Sequence, residues 1–171
     1  MVEDGAADLY MGRLKQIGVE KTLAPRSLGE DKVRFALQTQ RFYSALDSAD
    51  LCQFVWGPAW TLYGPAETVE MIKAVTGWED FTLEEMMTVG ERRLNMMRVF
   101  NAREGLTRAE DKLPKKFFKA LAGTGPTADV ALSQEELTQA QDMYYELSGW
   151  DAASGNPTAE TLRRLELDWV L

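Results

Sequence analysis

The sequence predicts an all-α fold, a single helical domain of about six to seven helices with one irregular aromatic-rich loop. Three observations carry this. Glycine and proline divide the chain into segments whose apolar residues recur with a helical period. Two of those segments open on a Ser/Thr-x-x-Glu capping box, Thr82/Glu85 and Ser133/Glu136. No segment shows the strict apolar/polar alternation of a half-buried strand.

Taken in order, residues 6–17 form a short amphipathic helix with Leu9, Leu14 and Ile17 on one side, ended by Gly18. From Glu30 to Leu46 the spacing of Phe35, Thr39, Phe42 and Leu46 defines an apolar face, with Arg34, Gln38 and Arg41 between. Pro65 opens a shorter helix to about Val75, which Gly77 breaks. The longest helix starts at the Thr82 box, carries Leu83, Met87, Gly90, Leu94 and Met97 as a stripe, and closes at Gly105. Pro114 is expected to open a short helix through KKFFKAL, and AGTGPTAD to be a surface loop. The Ser133 box starts a helix to Leu147, stopped near Gly149. The last helix begins at Thr158 and carries Leu162, Leu165 and Leu167. The GWD and GNPT elements between these two read as a C-cap, a loop and an N-cap.

Composition bounds what such a domain does. A chain of 171 residues that is 45% hydrophobic buries enough surface to fold without disulfides, and its single cysteine cannot form an internal one. A reducing, cytoplasmic setting is the expectation. The first ten residues lack a signal-like apolar core, and no run is long enough to span a bilayer. A formal charge of −8 repels phosphate backbones and anionic lipids, which argues against nucleic acid or membrane as partner. With no histidine, no cysteine pair and no glycine-rich phosphate loop, self-contained metal or triad catalysis has almost no material.

Two features stand apart from a plain helical domain. The lone Cys52 closes the hexapeptide DSADLC, residues 47–52, and runs into QFVWGPAWTLYG. That aromatic stretch is too apolar to be a solvated connection and too rich in glycine and proline to be a helix. Either the domain's own helices cover it, or it is a surface for another domain or a cofactor. On composition alone Cys52 reads as a buried structural residue and Asp47 as a helix-end acid.

The order DSADLC, then GERRLNMMRVFNAREGLTRAEDKLPKKF, then YYELSGWDAASGNPTAETLRRLEL, resembles the C-terminal part of the tungsten-dependent aldehyde ferredoxin oxidoreductases. The resemblance runs from about Leu14 to Leu167. It implies a protein that oxidises aldehydes to carboxylic acids with a tungsten (or molybdenum) bis-pterin centre and a 4Fe-4S cluster, and passes electrons to ferredoxin. An Asp-x-x-Gly-Leu-Cys element serves both groups in that family. Carried over, it makes Asp47 the acid that hydrogen-bonds the pterin, Leu51 an apolar spacer and Cys52 a cluster thiolate. Asp50 stands where the family pattern has glycine.

The resemblance also implies that the other three thiolates, a sheet-rich N-terminal pterin domain, and an acid and a histidine near the metal come from outside this sequence. The partners expected are therefore the N-terminal domains of the same protein, or a separate subunit supplying them. The chain by itself is expected to bind no cofactor and to be inactive. The alternatives are a helical interaction module without chemistry, or a subunit that completes an active site in trans. Glu91, Arg92, Arg98, Asn101 and Arg103 read as a solvated or salt-bridged face, or as a lock onto neighbouring domains. Tyr144, Tyr145 and Trp150 read as core rather than as a cofactor platform.

Overall fold

The structure, a computed structural model, describes residues 4–21, 23, 28–56, 62–125 and 128–171. Six α-helices and one two-stranded hairpin are present among them: α1 Asp4–Gln16, α2 Glu30–Ser48, α3 Pro65–Thr76, α4 Leu83–Arg103, α5 Gln134–Ser148, β1 Trp150–Asp151, β2 Asn156–Pro157 and α6 Ala159–Arg164. The predominantly helical class is as predicted. The centre of the fold is the pair α2 and α4, with α5 packed on α2 as well.

The predicted starts and stops are where the chain places them. Glu85 N donates to Thr82 Oγ1 at 3.1 Å to cap α4. The Ser133 box is complete, Glu136 N to Ser133 Oγ at 3.0 Å and Ser133 N to Glu136 Oε2 at 2.8 Å. Gly77 and Gly149 end α3 and α5 in the left-handed region, with φ of 74° and 67°.

Which side of each helix is buried departs from the predicted stripes. In α1 Leu14 and Ile17 are buried, but Leu9 is exposed. In α2 Phe42 and Leu46 are fully buried, while Phe35 and Thr39 are only half-buried and Val33, Leu37 and Ala45 join the core. The reason is that α2 has neighbours on more than one side, so a single stripe understates its burial. In α4 the buried residues are Met86, Gly90, Glu91 and Asn95, and Met97 of the predicted stripe is exposed. Gly90 is the one predicted position fully inside. A β-carbon there would lie 1.9 Å from the Arg41 carbonyl oxygen, so the α2 backbone fills the space a side chain would need.

The segment opened by Pro114 is shorter than predicted, a single 3₁₀ turn at Lys115–Phe118. Its backbone is used across the loop instead: Leu132 N donates to Phe117 O at 3.0 Å and Asp129 N to Leu121 O at 2.9 Å. The loop after it, AGTGPTAD, is irregular as expected, with Pro126 and Thr127 outside the described residues. The hairpin was not predicted. Trp150 pairs with Pro157 and Asp151 with Asn156, joining the C-cap of α5 to the N-cap of α6.

Two apolar clusters result. The first gathers Leu14, Ile17, Val19, Phe42, Leu46, Val69, Phe81 and Met86 from α1 to α4. The second, at the far end of α4, holds Leu162, Leu165, Leu167 and Val170 with Val99 against it. None of the described helices is long and apolar enough to cross a membrane.

Candidate functional site

The hexapeptide DSADLC is the C-terminal exit of α2. Leu51 N donates to Leu46 O at 2.9 Å and Asp50 N to Asp47 O at 3.3 Å. This closes the helix in the manner of a Schellman turn, which places one residue in the left-handed region. That residue is Asp50, with φ 55°. Aspartate tolerates this region better than most side chains, so the turn forms with an acid where the family pattern has glycine. Leu51, half-buried, packs against the first apolar cluster. With Leu51 anchored inward, the next residue leaves the surface, and the Cys52 thiol is exposed. It is therefore not the buried structural cysteine that composition alone favours. Its carbonyl is engaged, accepting from Val55 N at 2.9 Å and Trp56 N at 3.0 Å.

Asp47 lies in the last turn of α2, half-exposed. Its Oδ1 accepts from Gln53 Nε2 at 2.8 Å and its Oδ2 from Arg93 Nη1 at 3.0 Å. Both partners escaped the sequence reading. Gln53 is close in sequence but carries no motif, and Arg93 is a helix away. These side chains line an open depression of about 470 Å³ together with Phe35, Tyr43 and Ser44.

The described residues of the aromatic stretch beyond Cys52, 53–56 and 62–64, are covered only in part by the chain's own helices. Trp56 packs against the first cluster and stacks on Tyr63, ring centroids 4.5 Å apart. Phe54 is 77% exposed, and Leu62 and Tyr63 are exposed as well. Trp60 lies outside the described residues. Nearby, Leu51, Ile72, Phe81 and Met86 line an apolar hollow of about 410 Å³, with Val75 and Trp78 exposed at its rim.

The charged residues of α4 form a salt-bridged face, one of the two expected readings. They tie this chain to itself. The Glu91 carboxylate is buried and takes Arg41 at 2.8 Å and Arg164 at 2.6 Å. Arg92 donates to Leu165 O at 2.8 Å, and Arg103 donates to Val170 O. Arg98 grips Asp111 with both terminal nitrogens, at 2.9 and 2.6 Å, and Gly155 O with Nε at 2.8 Å. Buried Asn95 accepts from Trp150 Nε1 at 2.9 Å.

Comparison with known proteins matches residues 3–167 to the family described as "Aldehyde ferredoxin oxidoreductase, domains 2 & 3". The chain belongs to the aldehyde ferredoxin oxidoreductase family. The tungsten-containing aldehyde ferredoxin oxidoreductase of Pyrococcus furiosus is 32% identical over 143 residues, 82% of this chain and 22% of that protein. Its counterpart in Pyrococcus horikoshii is 30% identical over 161 residues, 93% of this chain and 25% of that protein. The chain thus spans about a quarter of the length of these relatives. A solved structure, the active site complex BamBC of benzoyl coenzyme A reductase with 1,5 dienoyl-CoA, superposes with a TM-score of 0.67 at 23% identity, over 91% of this chain and 23% of that one. This last likeness is one of fold.

Does the exit turn suit what the family name implies? Among the described residues no group of three or more His, Cys, Asp or Glu side chains could hold a metal ion. An exposed thiol is of the type an iron–sulfur cluster takes, and a half-exposed carboxylate keeps lone pairs for further donors, so the two are chemically compatible with a site completed by other residues.

The aromatic residues of α5 and the hairpin divide. Tyr145 is core, 3% exposed. Tyr144 and Trp150, half-buried and packed edge to face at 5.7 Å, line a cavity of about 410 Å³ with Lys32, Gln40 and Arg98. Burial would raise the Asp111 carboxyl, but the hydrogen bonds from Arg98 and Tyr145 outweigh it and hold the group below its usual range. Burial first, and the Asp111 carboxylate second, push the Tyr145 phenol up to about 12. Its ordinary value is 10.0, so the unfolded chain releases this proton first. The contribution of this group to stability is therefore complete below pH 10 and is lost as pH rises from there to about 12. An alkaline absorbance titration is expected to show late tyrosine ionisation, since burial also raises Tyr43 and Tyr144, and Tyr145→Phe should remove the component near pH 12. A single wave near pH 10 for all five tyrosines would rule it out.

Proposed function

We propose that this chain is the C-terminal helical portion of an aldehyde:ferredoxin oxidoreductase-like protein and forms one wall of its cofactor site. In this reading its single domain is completed by N-terminal domains of the same protein, or by a subunit that supplies them. A tungsten (or molybdenum) bis-pterin centre and a 4Fe-4S cluster, bound between the parts, supply the oxidation of aldehyde and water to carboxylic acid and the passage of electrons to ferredoxin.

The residues here have three tasks. Asp47 accepts N–H bonds from the pterin ring system, as a carboxylate with unfilled lone pairs does. Cys52 gives its thiolate to the cluster. Leu51 keeps the two in register by fixing the turn to the apolar core. The observation that carries this reading is the exit of α2, where a left-handed Asp50 and an anchored Leu51 turn Cys52 outward in a chain that matches the family almost end to end. Exposed Phe54, Leu62, Val75 and Trp78 around that exit fit a face that other parts of the protein cover.

The test is purification, from the native host, of the polypeptide that carries this chain, followed by analysis for tungsten, molybdenum and iron. Metal is expected in association with the chain, and Cys52→Ser is expected to lower iron several-fold while tungsten or molybdenum is retained. A chain recovered alone and metal-free would point to a helical interaction module instead. Full iron in the Cys52→Ser protein would remove Cys52 from the ligand set.

A further inference from the structure

Asp47 is an acid in an unfavourable place. The last turn of a helix carries partial negative charge on its free carbonyls, and α2 has no basic residue of its own there to offset it. The offset comes from α4. Arg93 Nη1 reaches Asp47 Oδ2 at 3.0 Å and Ser44 Oγ at 3.3 Å, so the guanidinium is itself held at two points on α2. Arg93 is about one helical turn beyond Gly90, where α2 and α4 approach too closely to admit a β-carbon, so its base lies beside that close approach. Gln53 holds the other oxygen at 2.8 Å. A carboxylate has about four lone-pair positions, and these two bonds leave the remainder for a ligand.

We infer that Arg93 is a positioning residue: it holds the Asp47 carboxylate in one orientation for the pterin. This rests on the role proposed above for Asp47. Arginine suits the task because it stays charged and presents a rigid planar fork. The ion pair is 35% and 39% exposed, in the class that contributes little to folding. Removing it should therefore be felt at the ligand and hardly at all by the fold.

The experiment uses the assembled protein, loaded in the host, in five forms: wild type, Asp47→Asn, Arg93→Gln, Arg93→Lys and the double variant Asp47→Asn/Arg93→Gln. Pterin per polypeptide is read by fluorescence of the released, oxidised ring, iron by chelation, and the thermal midpoint by far-UV ellipticity. Asp47→Asn and Arg93→Gln are each expected to lower pterin content about tenfold, the scale of a lost supporting contact. Arg93→Lys restores part of it, and the double variant is no worse than Asp47→Asn. Iron and the midpoint stay at the wild-type values. If Asp47→Asn loses pterin and Arg93→Gln does not, Arg93 has no positioning role, while the reading of Asp47 stands. If Asp47→Asn keeps its pterin, the reading of Asp47 fails and this inference with it. A joint fall of pterin, iron and midpoint in Arg93→Gln would make Arg93 structural and overturn the inference.

Discussion

Replacing Gly90 by alanine is expected to destabilise the protein by about 3 kcal/mol, the upper part of the range for overpacking a tight contact. The added β-carbon would stand 1.9 Å from Arg41 O, 2.8 Å from Arg41 C and 3.0 Å from Ala45 N. All three atoms are backbone of α2, so no rotamer change relieves the clash and the helices must separate. Alanine's better helix propensity returns only about 1 kcal/mol, too little to reverse the sign. Urea unfolding followed by ellipticity checks this, and the midpoint should fall with the slope unchanged. An alanine variant as stable as the parent would mean that α2 and α4 do not approach this closely.

Glu91→Ala is expected to cost a similar amount, about 3 kcal/mol, by a different route. The carboxylate is buried, and one of its partners, the Arg41 side chain, is 17% exposed. Burial already lowers the Arg41 pKa, and Glu91 is the charge that opposes this. Without it a guanidinium remains inside with no counter-ion. Arg164 is 55% exposed and regains water, so its half of the pair adds little. A double-mutant cycle separates the two effects. Arg41→Met removes the stranded charge, and Glu91→Ala/Arg41→Met should be clearly more stable than Glu91→Ala alone. A loss below about 1 kcal/mol for Glu91→Ala would show that water reaches the pair.

These two positions also mark how far the sequence could be read. Helix ends were legible because caps and left-handed stops are local chemistry: Thr82, Ser133, Gly77 and Gly149 each act within four residues of themselves. The face of α4 was not. Its period is helical on either side, and what decides burial is the approach of α2 at Gly90, a contact between residues about fifty apart. Glu91 was legible as a member of a salt-bridged face, but its partners could not be named because they are residues 41 and 164. The hairpin was invisible because strands of two residues carry no alternation.

The site divides in the same way. The motif in DSADLC named Asp47, Leu51 and Cys52, and the left-handed turn fits the family's glycine position. Arg93 and Gln53, which hold the Asp47 carboxylate, are set by the crossing of α2 and α4 and by the path of the exit turn, and no local pattern announces either.

The polar contacts along α4 also set an order of assembly during synthesis. The first apolar cluster needs nothing beyond Met86, so it can close once the start of α4 has left the ribosome. Once α4 has emerged a little further, Arg41 can meet Glu91, but the second cation, Arg164, has yet to be made. The acceptors for Arg92 and Arg103, the carbonyls of Leu165 and Val170, come later still. The second cluster consists of residues 162–170 and has no core until these arrive. Residues 162–170 therefore act as a latch on α4. A nascent chain halted before them carries a long helix with two arginines, Arg92 and Arg103, still without these backbone acceptors.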